Sequence, residues 1–330
     1  MKKIAINGMG RIGRAALKVI LDTPNLELVA VNDIVSAENI AYLLKYDSVY
    51  GVYEKEVTFD DKNLIIDGKK IQYNSVRNPE ELPWKENNID VVIESTGFFT
   101  ASEDAKKHIK AGAKSVIISA PTKSEDIPNV VHGVNSADGK TDVFSCASCT
   151  TNNISPVVEV LGRRIGIKKA IMTTIHAYTA SQAIVDAPSK KNFRMGRSGA
   201  NNIVPTSTGA AIATTKVLPE FKGKFDGVAL RVPIPVGSIS DLTFVTERPV
   251  TVKEINTILE EEAATERYNN VLSTTTEPLV SSDIVKNPYA STVDLSMTRV
   301  VDGDLLKVMT WYDNEWGFTN QMIRQILAEL

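Results

Sequence analysis

Apolar runs alternate with helical patterns in the first third of the chain. An apolar run at residues 4–6 leads into a glycine cluster, after which apolar residues recur at helical spacing up to position 20. A second run ends at Asp33, and the runs in "DVVIEST" and "SVIIS" are uninterrupted, which is typical of parallel strands buried on both faces. Strands that alternate with helices in this way predict an α/β sheet.

The segment between the last two runs, residues 102–112, has the pattern of a polar helix. We expect Ser102 to cap its N-terminus and Gly112 to end it. His108 lies among lysines in this segment, so its side chain is expected on the solvated face of the helix.

The glycine cluster has the spacing G-x-G-x-x-G, formed by Gly8, Gly10 and Gly13 between a predicted strand and a predicted helix. Gly8 permits a tight turn, Gly10 lets the backbone approach a pyrophosphate, and Gly13 allows close packing of helix on strand. Asp33 follows about 20 residues later, where a carboxylate accepts from a ribose 2′-hydroxyl and repels a 2′-phosphate. The motif predicts a Rossmann dinucleotide-binding domain for NAD, with NADP disfavoured by Asp33.

Small polar residues follow two of the predicted strands. Thr96 and Gly97 come after one of them, and Ser119 comes after the next. Ligands of open α/β sheets bind beyond the carboxyl ends of the strands, so these residues are candidate cofactor neighbours. Ordinary strand-terminating turns would have the same composition.

Both cysteines lie in "SCASCTT", residues 145–151. Cys149 stands where a helix should start, and the free N–H groups and dipole there are expected to lower the pKa of its thiol. Three scattered histidines do not make up a zinc ligand set, so no metal is predicted. A C-x-x-C redox centre with Cys146 stays open, as do two structural cysteines and a covalent nucleophile at Cys149.

His176 is the best candidate for a base that would serve such a nucleophile. It ends the apolar run "AIMTTIH" and hydroxyl-bearing residues follow it. His132 follows an apolar stretch and precedes a glycine, which is compatible with an ordinary turn.

Seven segments resemble, in order, phosphorylating glyceraldehyde-3-phosphate dehydrogenase: "INGMGRIGR", "VNDIVSAENIAYLLKYDSVYG", "ASCTTN", "TTIHAYT", "NIVPTSTGAA", "LRVP" and "WYDNEWG". The likeness implies a Rossmann domain of residues 1–148 and 314–330. It also implies an α+β catalytic domain of residues 149–313 with a mixed, largely antiparallel sheet. An apolar stripe would pack the last helix on the first domain: Phe318, Met322, Ile323, Ile326 and Leu330.

The resemblance also implies a reaction. Cys149 would attack the aldehyde of D-glyceraldehyde 3-phosphate to form a thiohemiacetal, with His176 as the base. Hydride transfer to NAD would leave an acyl-thioester, and inorganic phosphate would release 1,3-bisphosphoglycerate. A thiolate suits both steps, because it adds readily and also leaves readily.

By the same resemblance, three groups of residues bind ligands. The substrate phosphate would be bound by Thr179, Ser181 (usually threonine in the family) and Arg231, and the attacking phosphate by Ser148, Thr150, Thr208 and Gly209. The cofactor would contact Gly8, Gly10, Arg11, Ile12, Gly13, Asp33, Arg77, Thr96, Gly97, Ser119 and Asn314. Without the resemblance, Arg231 would be assigned a structural ion pair and the threonines strand or capping roles.

Composition and charge limit the partners and the compartment. The chain has 330 residues and a formal net charge of −3, so no broad attraction to nucleic acid or anionic lipid is expected. It shows neither a signal-peptide core nor an apolar stretch of about 20 residues. Two cysteines suit a reducing cytoplasm. A homotetramer is implied by resemblance, because residues 181–202 match the family's intersubunit loop.

Other functions stay open from the sequence. Erythrose-4-phosphate dehydrogenase shares the thiol and the histidine, although "PTSTGAA" at residues 205–211 fits the triose enzyme better. A dithiol–disulfide oxidoreductase that uses Cys146 and Cys149 is a candidate from another class. A non-catalytic NAD-binding protein is a third. The direction of the reaction in the cell is not predicted.

Overall fold

The computed structural model describes residues 1–137, 139, 141–190 and 192–329. Leu330, the last residue of the predicted apolar stripe, and Lys191, within the predicted intersubunit loop, lie outside the described residues. The chain divides into two compact units. The first comprises Met1–Val130, Ser136–Ala147 and Met322–Leu330, and the second comprises Val131–Asn135 and Ser148–Gln321.

The first unit contains an eight-stranded sheet with the order β10-β9-β8-β1-β2-β7-β6-β5 and a separate β3–β4 ribbon. Pairing is parallel from β10 to β7, and β6 and β5 add an antiparallel edge. The strands are β1 Lys2–Asn7, β2 Leu26–Asn32, β3 Tyr46–Asp47, β4 Gly51–Val52, β5 Val57–Phe59, β6 Asn63–Ile66, β7 Lys69–Asn74, β8 Val91–Glu94, β9 Ser115–Ile118 and β10 Val143–Ser145.

The order β7-β2-β1-β8-β9-β10 is the 3-2-1-4-5-6 order of a Rossmann sheet, as the sequence predicted. The strands β8 and β9 are buried along their whole length, which explains their uninterrupted apolar runs. Three helices belong to this unit: α1 Arg11–Leu21, α2 Ala37–Lys45 and α3 Ser102–Lys110. A short 3₁₀ helix spans Pro79–Glu81.

The ends of α3 differ in part from the sequence prediction. Ser102 is the first helical residue and not the cap; Ala101 holds the cap position and no side chain caps the helix. Gly112 does end the helix, because its φ is +103° and a Cβ there would lie 2.5 Å from the Lys85 Cβ.

The prediction for His108 was wrong, since its side chain is completely buried. Trp84 Nε1 donates to His108 Nδ1 at 2.9 Å, and the indole N–H can only donate. The proton of the neutral imidazole is therefore on Nε2, which donates to Glu94 Oε2 at 3.1 Å. A polar helix segment thus carries one inward polar residue with two buried partners.

The second unit contains a seven-stranded sheet with the order β12-β13-β11-β14-β17-β16-β15. Four of its pairings are antiparallel and two, β11–β13 and β15–β16, are parallel. The mixed, largely antiparallel sheet that the resemblance implied is confirmed. The strands are β11 Ile167–Ala177, β12 Val204–Ser207, β13 Phe225–Val232, β14 Ser238–Thr246, β15 Leu272–Thr275, β16 Ser291–Val301 and β17 Leu305–Tyr312.

Helices α4 Cys149–Ile165, α5 Ala210–Val217 and α6 Val252–Ala263 belong to this unit. Short 3₁₀ helices span Phe193–Gly196, Pro219–Phe221 and Ser281–Ile284. The last helix, α7 Trp316–Glu329, has residues in both units. None of the helices in the described part of the chain combines the length and apolar character that crossing a bilayer requires.

The unit boundaries differ from the predicted ones at three places. Residues 131–135 group with the second unit and not with the first. Residues 314–321 group with the second unit, where Gln321 Nε2 donates to the carbonyl oxygens of Asn270 and Pro288. Ser148 also groups with the second unit, because it caps α4. The return of the chain to the first unit therefore begins at Met322.

The buried His108 leads to a prediction about stability. His108→Leu leaves the Trp84 N–H without its acceptor and removes one of the two donors to Glu94 Oε2, which keeps Asn7. We therefore expect the free energy of unfolding to fall by about 3 kcal/mol. Lys110→Gln, at an exposed position of the same helix, should change it by less than about 0.5 kcal/mol. Urea denaturation followed by tryptophan fluorescence measures both. Equal stability of the two variants would contradict the buried hydrogen-bond arrangement.

Candidate active site

A cavity of about 570 Å³ lies at the carboxyl ends of the strands in the first unit. Five of the predicted cofactor residues line it: Gly8, Gly10, Asp33, Arg77 and Thr96. The other lining residues are Asn7, Asn32, Ile34, Val35, Val76, Ser95, Phe98 and Phe99. The polar groups thus come from several strand ends, as expected for a nucleotide cleft in this fold.

The glycine turn has the shape that a bound dinucleotide needs. Gly8 has φ +99°, and a Cβ there would lie 2.6 Å from the backbone nitrogen of Thr96. A Cβ at Gly13 would lie 1.9 Å from the Gly8 carbonyl oxygen, so helix α1 packs closely on the turn. A Cβ at Gly10 would meet no atom within 4 Å. The backbone at Gly10 therefore has open space beside it, where a phosphate group can approach.

The Asp33 carboxylate is held at the end of β2 by two backbone N–H groups. Oδ2 accepts from Met9 N at 2.6 Å and Oδ1 accepts from Val35 N at 3.0 Å. Each carboxylate oxygen has a second lone pair, which leaves acceptors for ribose hydroxyls. The donor turn, the open Gly10 and this carboxylate fit a dinucleotide without a 2′-phosphate.

The remaining predicted cofactor residues do not line this cavity. Arg11 forms an ion pair with Asp47, its Nη1 lying 2.7 Å from Oδ2. Gly13 packs against the turn, and Ile12, Gly97 and Ser119 are also outside the lining set. Asn314 belongs to the second unit.

Sequence reasoning missed a buried carboxylate next to the cleft residues. Glu94 is 1% exposed; its Oε2 accepts from Asn7 Nδ2 at 2.6 Å and from His108, and its Oε1 accepts from the backbone and hydroxyl of Thr96. Asn7 Oδ1 in turn accepts from Asn32 at 2.7 Å. These hydrogen bonds connect the ends of three strands, because Glu94 ends β8, Asn7 ends β1 and Asn32 ends β2. The signal was a lone acid at the end of an apolar strand.

In the second unit, the sulfur of Cys149 lies 3.4 Å from Nε2 of His176. Cys149 is the first residue of α4, and the hydroxyl of Ser148 caps the helix by accepting from Thr151 N at 3.1 Å. His176 lies near the end of β11 and is 5% exposed. The thiol and imidazole that the sequence paired are thus within contact distance.

The other ring nitrogen of His176 is held by two groups. Nδ1 lies 2.7 Å from the Ala177 carbonyl oxygen and 2.6 Å from Arg231 Nη1. Arg231 is next to His176 because β11 and β13 pair in parallel with these two residues in register. Burial and then the Arg231 charge lower the pKa of His176 to about 3. The imidazole is therefore neutral in the folded protein at neutral pH.

The expected lowering of the Cys149 pKa is not found. Burial raises the pKa of this thiol, although the Arg231 charge and hydrogen bonds at the start of α4 act in the opposite direction. The sequence showed where the helix starts but not which side chains surround the sulfur. Desolvation of the sulfur by these side chains raises the pKa more than the helix start lowers it. A neutral thiol beside a neutral imidazole follows, with a proton ready to move between them.

Tyr312 is a second residue that sequence reasoning missed. Its hydroxyl bridges Thr150 Oγ1 at 2.9 Å and Thr174 Oγ1 at 2.8 Å, and its ring meets the imidazole of His176 edge-on. Burial raises the pKa of Tyr312 well above its usual range. The tyrosine links the start of α4 to β11, the two elements that carry the thiol and the imidazole.

The predicted anion-binding residues lie in separate places. Thr179 and Ser181 share a hydroxyl hydrogen bond of 2.8 Å after the end of β11. Thr208 Oγ1 accepts from Ala210 N at 3.1 Å, and Gly209 caps α5.

The pairing register of β12 and β13 places Thr208 and Gly209 away from Arg231 along the strands. Ser207 pairs with Val228, three residues before Arg231. The backbone of Thr208 is therefore roughly 10 Å or more along the strands from the backbone of Arg231. This spacing is compatible with two distinct anion sites.

Two alternatives to a single reactive thiol receive little support. Cys146 is 2% exposed in the first unit, and burial raises the pKa of its thiol strongly, which is unfavourable for thiol exchange. Among the described residues, no three His, Cys, Asp or Glu side chains gather into a possible metal site.

These features define a class of protein. A Rossmann unit with a nucleotide cleft and a mixed-sheet unit with a thiol–imidazole pair are the parts of a nicotinamide-dependent aldehyde dehydrogenase. The family model described as the glyceraldehyde 3-phosphate dehydrogenase NAD binding domain matches residues 2–102, and the model of the C-terminal domain matches residues 148–314.

Curated relatives are similar in sequence to this chain over almost their whole length. Glyceraldehyde-3-phosphate dehydrogenase 2 of Streptomyces avermitilis is 48% identical over 97% of this chain and 96% of its own. The corresponding dehydrogenase 1 of Bacillus subtilis is 47% identical and that of Geobacillus stearothermophilus 48% identical, over the same shares. The chain belongs to the glyceraldehyde-3-phosphate dehydrogenase family, and its cofactor is NAD.

The buried neutral imidazole predicts a pH dependence of stability. The unfolded chain takes up a proton at His176 below pH 6.5, whereas the folded chain does not until about pH 3. The free energy of unfolding of the wild type therefore decreases as the pH is lowered through this window, by about 2 kcal/mol at pH 5 relative to neutral pH. His176→Asn lacks this contribution. Urea denaturation at pH 7.5 and pH 5 measures the difference in free energy of unfolding between the two proteins. A difference that does not change with pH would count against a buried, neutral His176.

Proposed function

We propose that this chain catalyses the NAD-dependent oxidation and phosphorylation of D-glyceraldehyde 3-phosphate to 1,3-bisphosphoglycerate. The observation that carries this proposal is the 3.4 Å contact of Cys149 Sγ with His176 Nε2 in the domain that matches the family's C-terminal model. The sequence similarity to dehydrogenases of this name supports the substrate. The reaction belongs to glycolysis or, in reverse, to gluconeogenesis.

Cys149 acts as the nucleophile. Its thiol proton moves to Nε2 of His176 as the sulfur adds to the aldehyde carbon. Nε2 then passes this proton to the former carbonyl oxygen, which completes the thiohemiacetal and leaves Nε2 free again. Proton transfer at the moment of attack suits a partly buried thiol whose pKa is raised, because neither charge has to exist alone in the resting site. The first residue of α4 also places backbone N–H groups near the oxygen that becomes charged.

His176 then accepts the hydroxyl proton of the thiohemiacetal, so that the carbon can give up hydride and become an acyl-thioester. The Ala177 carbonyl accepts a hydrogen bond from Nδ1–H, which leaves the lone pair of Nε2 free for these protons and stabilises the ring when it carries two of them. Inorganic phosphate attacks the thioester and the Cys149 thiolate leaves. The sulfur thereby conserves the energy of oxidation in the acyl phosphate product.

Two anion sites serve the two phosphate groups. Arg231, with Thr179 and Ser181, binds the phosphate of the substrate. The buried Nε of Arg231 has no hydrogen-bond partner among the described residues, so this N–H is available as a donor. Ser148, Thr150, Thr208 and Gly209 bind the attacking phosphate. The separation of Thr208 from Arg231 along the strands supports two sites over one.

Bound NAD supplies the acceptor for the hydride. Gly8, Gly10, Asp33, Arg77 and Thr96, which line the cleft of the first unit, hold the dinucleotide. Arg11, Ile12, Gly13, Gly97 and Ser119 complete this region through the shape of the turn and the strand ends, and Asn314 binds the carboxamide. Asp33 favours NAD over NADP through charge.

We also propose a cytoplasmic homotetramer. Two free cysteines support a reducing compartment. The similarity of residues 181–202 to the family's intersubunit loop supports the oligomer. Sedimentation or light scattering measures its mass.

The decisive experiment follows NADH formation from glyceraldehyde 3-phosphate, NAD and inorganic phosphate. Cys149→Ser should lower kcat by about 1000-fold or more, because a hydroxyl does not replace the thiol as nucleophile and leaving group. Cys146→Ala, which removes the thiol of the other cysteine, should retain most of the activity. NADP in place of NAD should give a lower kcat/KM.

Three results would count against the proposal. If the aldehyde were oxidised at full rate without phosphate or another acceptor for the acyl group, the reaction would not include a phosphorylation step. Faster turnover of erythrose 4-phosphate would favour the alternative aldehyde. If each of the single variants Cys146→Ala and Cys149→Ser lost the activity, a dithiol mechanism would be indicated.

A further inference from the structure

The side-chain amide of Asn314 is held in one orientation. Its Oδ1 accepts from the backbone N–H of Gly237 at 3.2 Å and from the hydroxyl of Ser238 at 3.0 Å. A backbone N–H can only donate, so the amide atom that faces Gly237 must be the oxygen. None of the described residues accepts a hydrogen bond from Nδ2. The amide therefore has its acceptor occupied and its donor available.

Ser238 fixes this orientation from inside the protein. The residue is 1% exposed, and its Oγ also accepts from the backbone N–H of Ala177 at 3.1 Å. A hydroxyl has a single hydrogen, and with Ala177 on the acceptor side that hydrogen is directed to Asn314. Ala177 directly follows His176, so one buried hydroxyl joins the strand of the imidazole to the amide.

The turn before Ser238 can be made only with glycine. Gly237 has φ +92°, and a Cβ there would lie 2.3 Å from the carbonyl oxygen of Ser281. This conformation places the Gly237 N–H and the Ser238 hydroxyl on the same oxygen of Asn314. Two donors on one acceptor prevent the amide from flipping.

We propose that Ser238 is a positioning residue for the nicotinamide ring, because it makes Asn314 present only its Nδ2 donor to the ligand. The inference rests on the proposed function, in which Asn314 binds the carboxamide of NAD. That carboxamide must then offer its carbonyl oxygen, which sets the rotation of the group on the ring. Ser238 contributes to binding of the nicotinamide end and not to binding of the ADP-ribose end.

The test compares NAD with ADP-ribose, which lacks nicotinamide, by isothermal titration calorimetry on the full chain. The variants are Ser238→Ala, Ser238→Thr and the control Ser240→Ala. Ser240 lies two residues along the same strand and is completely buried, and its hydroxyl has no hydrogen-bond partner in the part of the chain that the structure describes. The control therefore repeats the same change without the contact to Asn314.

We expect Ser238→Ala to raise the Kd of NAD by about 5- to 20-fold, as loss of one buried hydrogen bond and of the amide orientation would do. The Kd of ADP-ribose should stay within about twofold. Ser240→Ala should leave both values unchanged, and Ser238→Thr, which keeps the hydroxyl, should bind NAD nearly as tightly as the wild type.

Equal NAD affinity of Ser238→Ala and the wild type would overturn the proposal. So would equal weakening of NAD and ADP-ribose, which indicates general damage to the fold. If Ser238→Ala does not fold, Ser238→Cys, with a weaker donor of similar size, should show a smaller effect in the same direction, and no effect would overturn the proposal. A wild-type chain that binds neither molecule would instead refute the proposed function.

Discussion

The contact between the Cys149 sulfur and Nε2 of His176 is the interaction on which the second unit depends. It joins the first residue of a helix to the end of a strand, 27 residues apart in the chain. The Ser148 cap sets where the helix begins, and the pairing of β11 with β13 sets which face of the strand carries the imidazole. A shift of one residue in that register would turn His176 to the opposite face of the sheet.

Buried polar groups hold the elements around both sites. Glu94 ties three strand ends in the first unit, while Tyr312 and Ser238 link strands and a helix in the second. Hydrogen bonds in such dry surroundings are strong, and an unpaired member would be costly. These groups therefore fix side-chain directions more tightly than apolar packing alone would.

Local patterns predicted much of this molecule. The strand, glycine turn, helix and Asp33 stand close together in the sequence, and so do Cys149 and its helix start. Tertiary surroundings decided what was missed. His108 has polar neighbours along its helix, yet Trp84 and Glu94 bury it. The pKa of Cys149 follows burial that no local segment shows, and Tyr312 and Ser238 act through strands that pair far along the chain.

The most direct test of the central contact is the rate at which iodoacetamide alkylates Cys149, followed by peptide mass spectrometry as a function of pH. If His176 takes the thiol proton, the wild type should react at least about tenfold faster at pH 7 than His176→Asn, whose profile should move to alkaline pH. Rates that coincide at every pH would show that the imidazole does not act on the sulfur.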